Sequence, residues 1–151
     1  MAKQTKKDNG TILFATGELQ YFGYGTGKFG SSEKSQISII PDEDVKELRN
    51  TLSELYMNAE IDEKWLPDFV AKDKDRINLA STFEIPVLVS EDGKNFETTL
   101  RKFCDDYGTP VKGTRVKVRM KFKDGSLYPV AVMFLDDLSD IKTYSLANLF
   151  E

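Results

Sequence analysis

Histidine is absent from the 151 residues, and cysteine occurs once, at Cys104. Without histidine the chain lacks the commonest general base, the commonest metal ligand and every triad built on an imidazole. A single thiol forms no internal disulfide framework, which fits a reducing cytoplasm, and it cannot complete a zinc site of the Cys/His type. An enzyme made from this chain would have to run on carboxylates, lysine, tyrosine, serine or threonine. No apolar run approaches the roughly 20 residues that span a bilayer. Met1 to Gly10 is polar and lysine-rich with no apolar stretch behind it, so neither a membrane span nor a secretory leader is expected.

What is present is one domain's worth of ordinary globular composition, 40% hydrophobic and 30% charged, with a net charge of −4. The sum conceals a segregation. Tyr107 to Lys123 carries six basic residues and no acid, whereas Asp136 to Glu151 carries four acids and one lysine. The chain divides into a flexible basic arm at 1–10, a folded domain at 11–135 and an acidic tail at 136–151.

Thr11 to Phe22 favours a long strand, with Leu13, Ala15, Leu19 and Tyr21 on one parity and Gly17 as a bend or bulge. A glycine-rich loop follows, Gly23 to Ser32. A second strand spans Ser35 to Ile40 and stops at Pro41. Asp42 to Ala59 is the clearest helix: Asp42 is a good N-cap, and Val45, Leu48, Leu52, Leu55 and Ala59 make one apolar stripe. Residues 60–80 read as irregular, with Trp65, Leu66 and Phe69 packing onto the core. A third strand is expected over Thr82 to Val89, closed by Asp92-Gly93, then a short helix within Phe96 to Tyr107. Arg115 to Lys123 and Leu127 to Leu135 are the fourth and fifth strands, joined by an Asp124-Gly125 turn. The expected fold is mainly β: an OB-like five-stranded barrel in the order strand-strand-helix-strand-strand-strand. In the usual OB order the main helix follows the third strand; here the strongest helix follows the second.

The strongest chemical signal is the fourth strand. Arg115, Lys117, Arg119, Lys121 and Lys123 alternate with Val116, Val118, Met120 and Phe122, so an extended backbone places five cations on one face and apolar side chains on the other. Like charges so close repel one another, and a polyanion relieves the repulsion. The plainer reading is a solvated face paired to acids on neighbouring strands, yet Leu127 to Leu135 is uncharged. Tyr21, Phe22, Tyr24 and Phe29, with Lys28 and Lys34, cluster in or beside the glycine-rich loop. Exposed rings there would stack on unpaired bases, although one or two of the four are expected in the core. The loop is no Walker motif, since no helix and no Lys-Ser/Thr pair follows it. The adjacent acids Glu91-Asp92, Asp105-Asp106 and Asp136-Asp137 point to opposite faces if extended and make no metal cage alone. Cys104 lies on an apolar stripe and reads as core.

The chain resembles the OB-fold single-stranded DNA-binding proteins of bacteriophages and Gram-positive conjugative plasmids. The resemblance is carried by Thr16 to Gly30, by Gln36-Ile37-Ser38-Ile39-Ile40-Pro41-Asp42 running into the Val45–Ala59 helix, by Arg115–Phe122, and by Tyr128-Pro129-Val130-Ala131-Val132. It implies a cytoplasmic, non-enzymatic protein without cofactors that coats and protects single-stranded DNA, with little sequence preference, in replication, recombination or transfer. It implies stacking rings at Tyr21, Tyr24 and Phe29 and phosphate contacts at Arg115, Lys117, Arg119, Lys121 and Lys123. It further implies recruitment of replication or transfer proteins through the acidic tail, although Glu151 rather than a phenylalanine ends the chain; self-association along DNA is suggested by the lysine-rich arm at 1–10 alone. Three alternatives stay open: an RNA- or duplex-binding module on the same face, a Mg-dependent nuclease, and a protein-interaction module.

Overall fold

The computed structural model describes residues 10–26, 33–42, 45–72 and 74–144. Among the described residues nine strands follow one another: β1 (Thr11–Thr26), β2 (Glu33–Pro41), β3 (Ile77–Ser81), β4 (Pro86–Glu91), β5 (Lys94–Thr99), β6 (Thr109–Pro110), β7 (Arg115–Lys123), β8 (Ser126–Asp137) and β9 (Thr143–Tyr144). Helix α1 (Val45–Asn58) and the single turn α2 (Asp68–Ala71) lie between β2 and β3, and α3 (Leu100–Tyr107) follows β5. Seven strands form one sheet in the order β3-β2-β1-β7-β8-β4-β5, while β6 and β9 pair as a separate ribbon. None of the described helices is long and apolar enough to cross a membrane.

The chain is mainly β, as expected, but the large sheet has seven strands where five were expected. The difference arises around residue 82. β3 forms at the end of the segment expected to be irregular, and the expected Thr82–Val89 strand starts only at Pro86, because the Ser81 hydroxyl accepts the Phe83 N–H at 3.0 Å and turns the chain between β3 and β4. Asp92 and Gly93, at φ of 53° and 80°, then turn the chain into β5 instead of closing the strand run. Asp124 and Gly125, at 52° and 78°, join β7 to β8 in the same way. Both central residues of a tight hairpin turn need positive φ, which Asp-Gly supplies at low cost.

Strand β1 organises the sheet by bending. Its first half pairs with β7, from Thr11↔Phe122 to Glu18↔Arg115, and its second half pairs with β2, from Gly17↔Pro41 to Thr26↔Glu33. The two pairings overlap only at Gly17 and Glu18. A Cβ on Gly17 would sit 2.2 Å from the Ile40 carbonyl oxygen, so the crossing is passable only to glycine. A register shift between Leu19 and Tyr21 then changes the parity, turning Phe22 into the core and Tyr21 outward. At the far end of the sheet, β4 runs parallel to β8, and β3 packs against β8 as well. Only Thr82–Ile85 separates β3 from β4 along the chain.

The helices bring apolar faces to the core. Leu52 and Tyr56 of α1 are buried, with the Tyr56 ring edge-on to Phe122 at 4.7 Å. In α3, Leu100 and Phe103 are buried, and Phe103 packs on Phe22 and Phe134 at centroid distances of 5.9 and 4.8 Å. Thr99 caps α3 by accepting the Lys102 N–H at 3.2 Å. Phe69 is buried as expected, but Trp65 is not a core residue; it stands exposed with Lys64 over its ring. The folded body also passes the expected boundary at Leu135, since β8 continues to Asp137 and Thr143–Tyr144 pair with Thr109–Pro110. Residues 1–9 of the expected basic arm at 1–10, and residues 145–151 of the expected acidic tail, lie outside the described residues.

Gly17→Ala should cost about 2 kcal/mol or more, since the added carbon meets backbone rather than a movable side chain. Urea denaturation measures this; wild-type stability in the variant would contradict the crossing described at Gly17.

Candidate functional site

Strand β7 is hydrogen-bonded on both flanks, to β1 and to β8, which holds it extended. Val116, Val118, Met120 and Phe122 are buried on its inner side. Burying each is worth about 1.5–3 kcal/mol, and a slip of one residue would expose all four while driving cations into the core. The alternation read from sequence therefore determines the side from which the five cations project.

Arg115 departs from the expected set. Its guanidinium donates through both terminal nitrogens to the two carboxylate oxygens of Asp42, so this cation is already neutralised. The hydrogen bond with Arg115 holds the Asp42 carboxyl below its ordinary value, and Asp42 raises that of Arg115. Glu18 and Asp136 add to the negative potential at this end of the strand. Among the described residues, no carboxylate lies within ion-pair distance of Lys117, Arg119, Lys121 or Lys123.

Phe14 occupies the centre of the cationic face. It lies opposite Arg119 on β1, is 52% exposed, and has Lys117 and Arg119 over its ring at 5.0 and 5.6 Å. These three residues form one wall of a groove of about 430 Å³ whose floor is Ala131, Met133 and Leu88. Pairing explains the arrangement. Thr16, Lys117, Met133, Leu88 and Glu97 are successive partners across β1, β7, β8, β4 and β5, so they share one outer row. Cations thus border one side of an apolar floor and Glu97 borders the other. Sequence reasoning missed Phe14, although its signal was present: once Leu13 and Ala15 face inward, the residue between them faces out.

The remaining expected site residues are dispersed. Lys121 and Lys123 sit opposite Tyr128 and Ser126 on β8. Tyr21 is exposed, as stacking would require, but it borders a different groove of about 330 Å³ with Gln36, Ser38, Arg76 and Asn78. Lys34 lies in a third groove with Phe83 and Tyr128. Tyr24 is not a free ring. Its hydroxyl donates to Asp105 and its ring packs under Arg101 at 4.7 Å, so α3 clamps it; the bond to Asp105 also raises its pKa above the ordinary phenol value. Nothing near Tyr24 in sequence announces a partner so distant along the chain. Lys28 and Phe29 lie outside the described residues.

Two of the carboxylates weighed for metal chemistry have structural partners. Asp105 holds Tyr24, and Asp137 accepts from the Ser139 hydroxyl and N–H and from the Asp92 N–H. Burial pushes the Cys104 thiol up to about 11, so it stays protonated and weakly nucleophilic near neutrality. Among the described residues, no group of three or more acidic or sulfur ligands is placed to hold a metal. No protein-family model matches the chain, and no curated protein matches it significantly.

The Asp42–Arg115 pair gives a pH-dependent prediction. A depressed carboxylate contributes stability that is complete above its unfolded value and lost as pH falls through the lower folded one. Asp42→Asn should melt below wild type at pH 7, and the gap should be smaller at pH 2. Equal gaps at both pH values would show that the pair does not titrate as described.

Proposed function

We propose that this protein binds single-stranded nucleic acid, DNA in the first instance, without strong sequence preference and without catalysing a reaction on it. The observation that carries the reading is the exposed Phe14 ring beneath Lys117 and Arg119, at the wall of an apolar groove. A phenyl ring and an apolar floor suit the face of an unpaired base, which every base possesses. The cations suit its phosphate, and displacing condensed counterions supplies affinity. Glu97 on the opposite border disfavours phosphate there, so the groove has a polarity: backbone along β7, base toward β4. A duplex keeps its bases stacked inside and cannot offer them to this groove.

The fold agrees with the reading under an OB-like interpretation. Taking β3 and β4 as one kinked strand, β1, β2, β3/β4, β8 and β7 trace a five-stranded ring. Helix α3 then falls between the third and fourth ring strands, the usual OB helix position, and α1 is an addition. OB barrels present an outer face and two loops to oligonucleotides. The role in phage or plasmid replication, recombination or transfer rests on the sequence resemblance alone.

Fluorescence anisotropy with labelled oligothymidylate tests the proposal. Phe14→Ala should lose about 1–3 kcal/mol of binding, the usual value of one stacked base. Arg119→Glu should nearly abolish binding, whereas Arg115→Ala should change it little because Asp42 already occupies that cation. Wild-type affinity in both Phe14→Ala and Arg119→Glu would overturn the assignment to this face.

A further inference from the structure

Phe83 is 80% exposed, more than any other large apolar residue described. It is not a loose residue on a long loop. The bond from its N–H to the Ser81 hydroxyl, at 3.0 Å, ties down the four-residue connector between β3 and β4. Burying a phenylalanine side chain is strongly favourable, and the fold forgoes nearly all of that gain here. Tyr128, itself 45% exposed, lines the same shallow groove of about 200 Å³, together with Lys34. The groove therefore has two aromatic rings and a cation, contributed by three separate parts of the chain.

This groove adjoins the cationic face. Tyr128 stands directly opposite Lys121, two residues along β7 from Arg119 and on the same outer side. A continuous track thus runs from Phe14 and Arg119, through Lys121 and Tyr128, to Phe83 and Lys34. Two strand residues and two inter-strand spacings put Phe14 and Tyr128 about 12 Å apart, a distance a few nucleotides cover.

We propose that Phe83 and Tyr128 form a second base-stacking station, with Lys34 and Lys121 holding the phosphates on either side, so that one strand engages both stations at once. The inference rests on the reading of the cationic face as a single-strand binding surface. It specifies the ligand further: a strand of several nucleotides that turns across β8, not a mononucleotide or a duplex.

Ring deletions separate the two claims. With an oligothymidylate of about 12 nucleotides, Phe83→Ala and Tyr128→Ala should each weaken binding about tenfold. Their melting temperatures should stay at the wild-type value, as both rings are exposed. The salt dependence should also stay unchanged, because no cation is removed. Tyr128→Phe keeps the ring and should keep the affinity. Wild-type affinity in either ring deletion, with Phe14→Ala still weakened, overturns the second station and leaves the first reading standing. Failure of the unmodified protein to bind any single strand overturns both.

Discussion

Pairing of β7 on both flanks is the constraint from which the rest of the proposed surface follows. A strand bonded on one side can twist away or slip; one bonded to β1 and β8 together cannot do so without breaking two ladders. Its four buried side chains hold the phase, and the phase sets the direction of every cation on the strand. The same pairing brings Phe14 opposite Arg119 and Tyr128 opposite Lys121, so the rings arrive beside the charges through backbone register alone. The glycine at position 17 is part of this arrangement, because only a sharp crossing lets β1 serve β7 with one half and β2 with the other.

A net charge of −4 is compatible with a cationic face because the charges are sorted. Acids gather where β7 begins: Asp42 grips Arg115, with Glu18 and Asp136 nearby. Among the described residues, no carboxylate lies within ion-pair distance of the cations that follow, and Lys117 and Arg119 lie over the Phe14 ring. Their mutual repulsion weakens the free protein slightly and favours any ligand that supplies negative charge at strand spacing. On the proposed reading, the acidic remainder of the molecule discourages non-specific clinging to duplex while this face stays open.

The sequence was most legible where a short period met a strong pattern. The alternation of β7, the Asp124-Gly125 hairpin and the Leu48–Leu52–Leu55 stripe of α1 each depend on neighbours within a few residues, and each appears in the structure. The hairpin β4–β5 was read wrongly because β5 is an edge strand. Its Lys94-Asn95-Phe96-Glu97-Thr98-Thr99 has one large apolar residue and no alternation to read, and it runs straight into the Thr99 cap of α3. Within the candidate site, the cations were legible but their partners were not. Arg115 is claimed by an acid from the end of β2, and Tyr24 by an acid on α3, pairings set by tertiary approach. Phe14 was legible in principle and overlooked; Phe83 depends on a turn made by Ser81 that propensity alone does not reveal.

The central claim is that four cations of one extended strand stand free for phosphate. The salt dependence of binding to oligothymidylate measures it most directly, since each neutralised phosphate steepens the log–log plot by about 0.7 for single strands. With Arg115 withdrawn by Asp42, the account predicts a slope near −2.8 from Lys117, Arg119, Lys121 and Lys123, and a steeper one if Lys34 also engages. A slope shallower than about −1, at any measurable affinity, would contradict it.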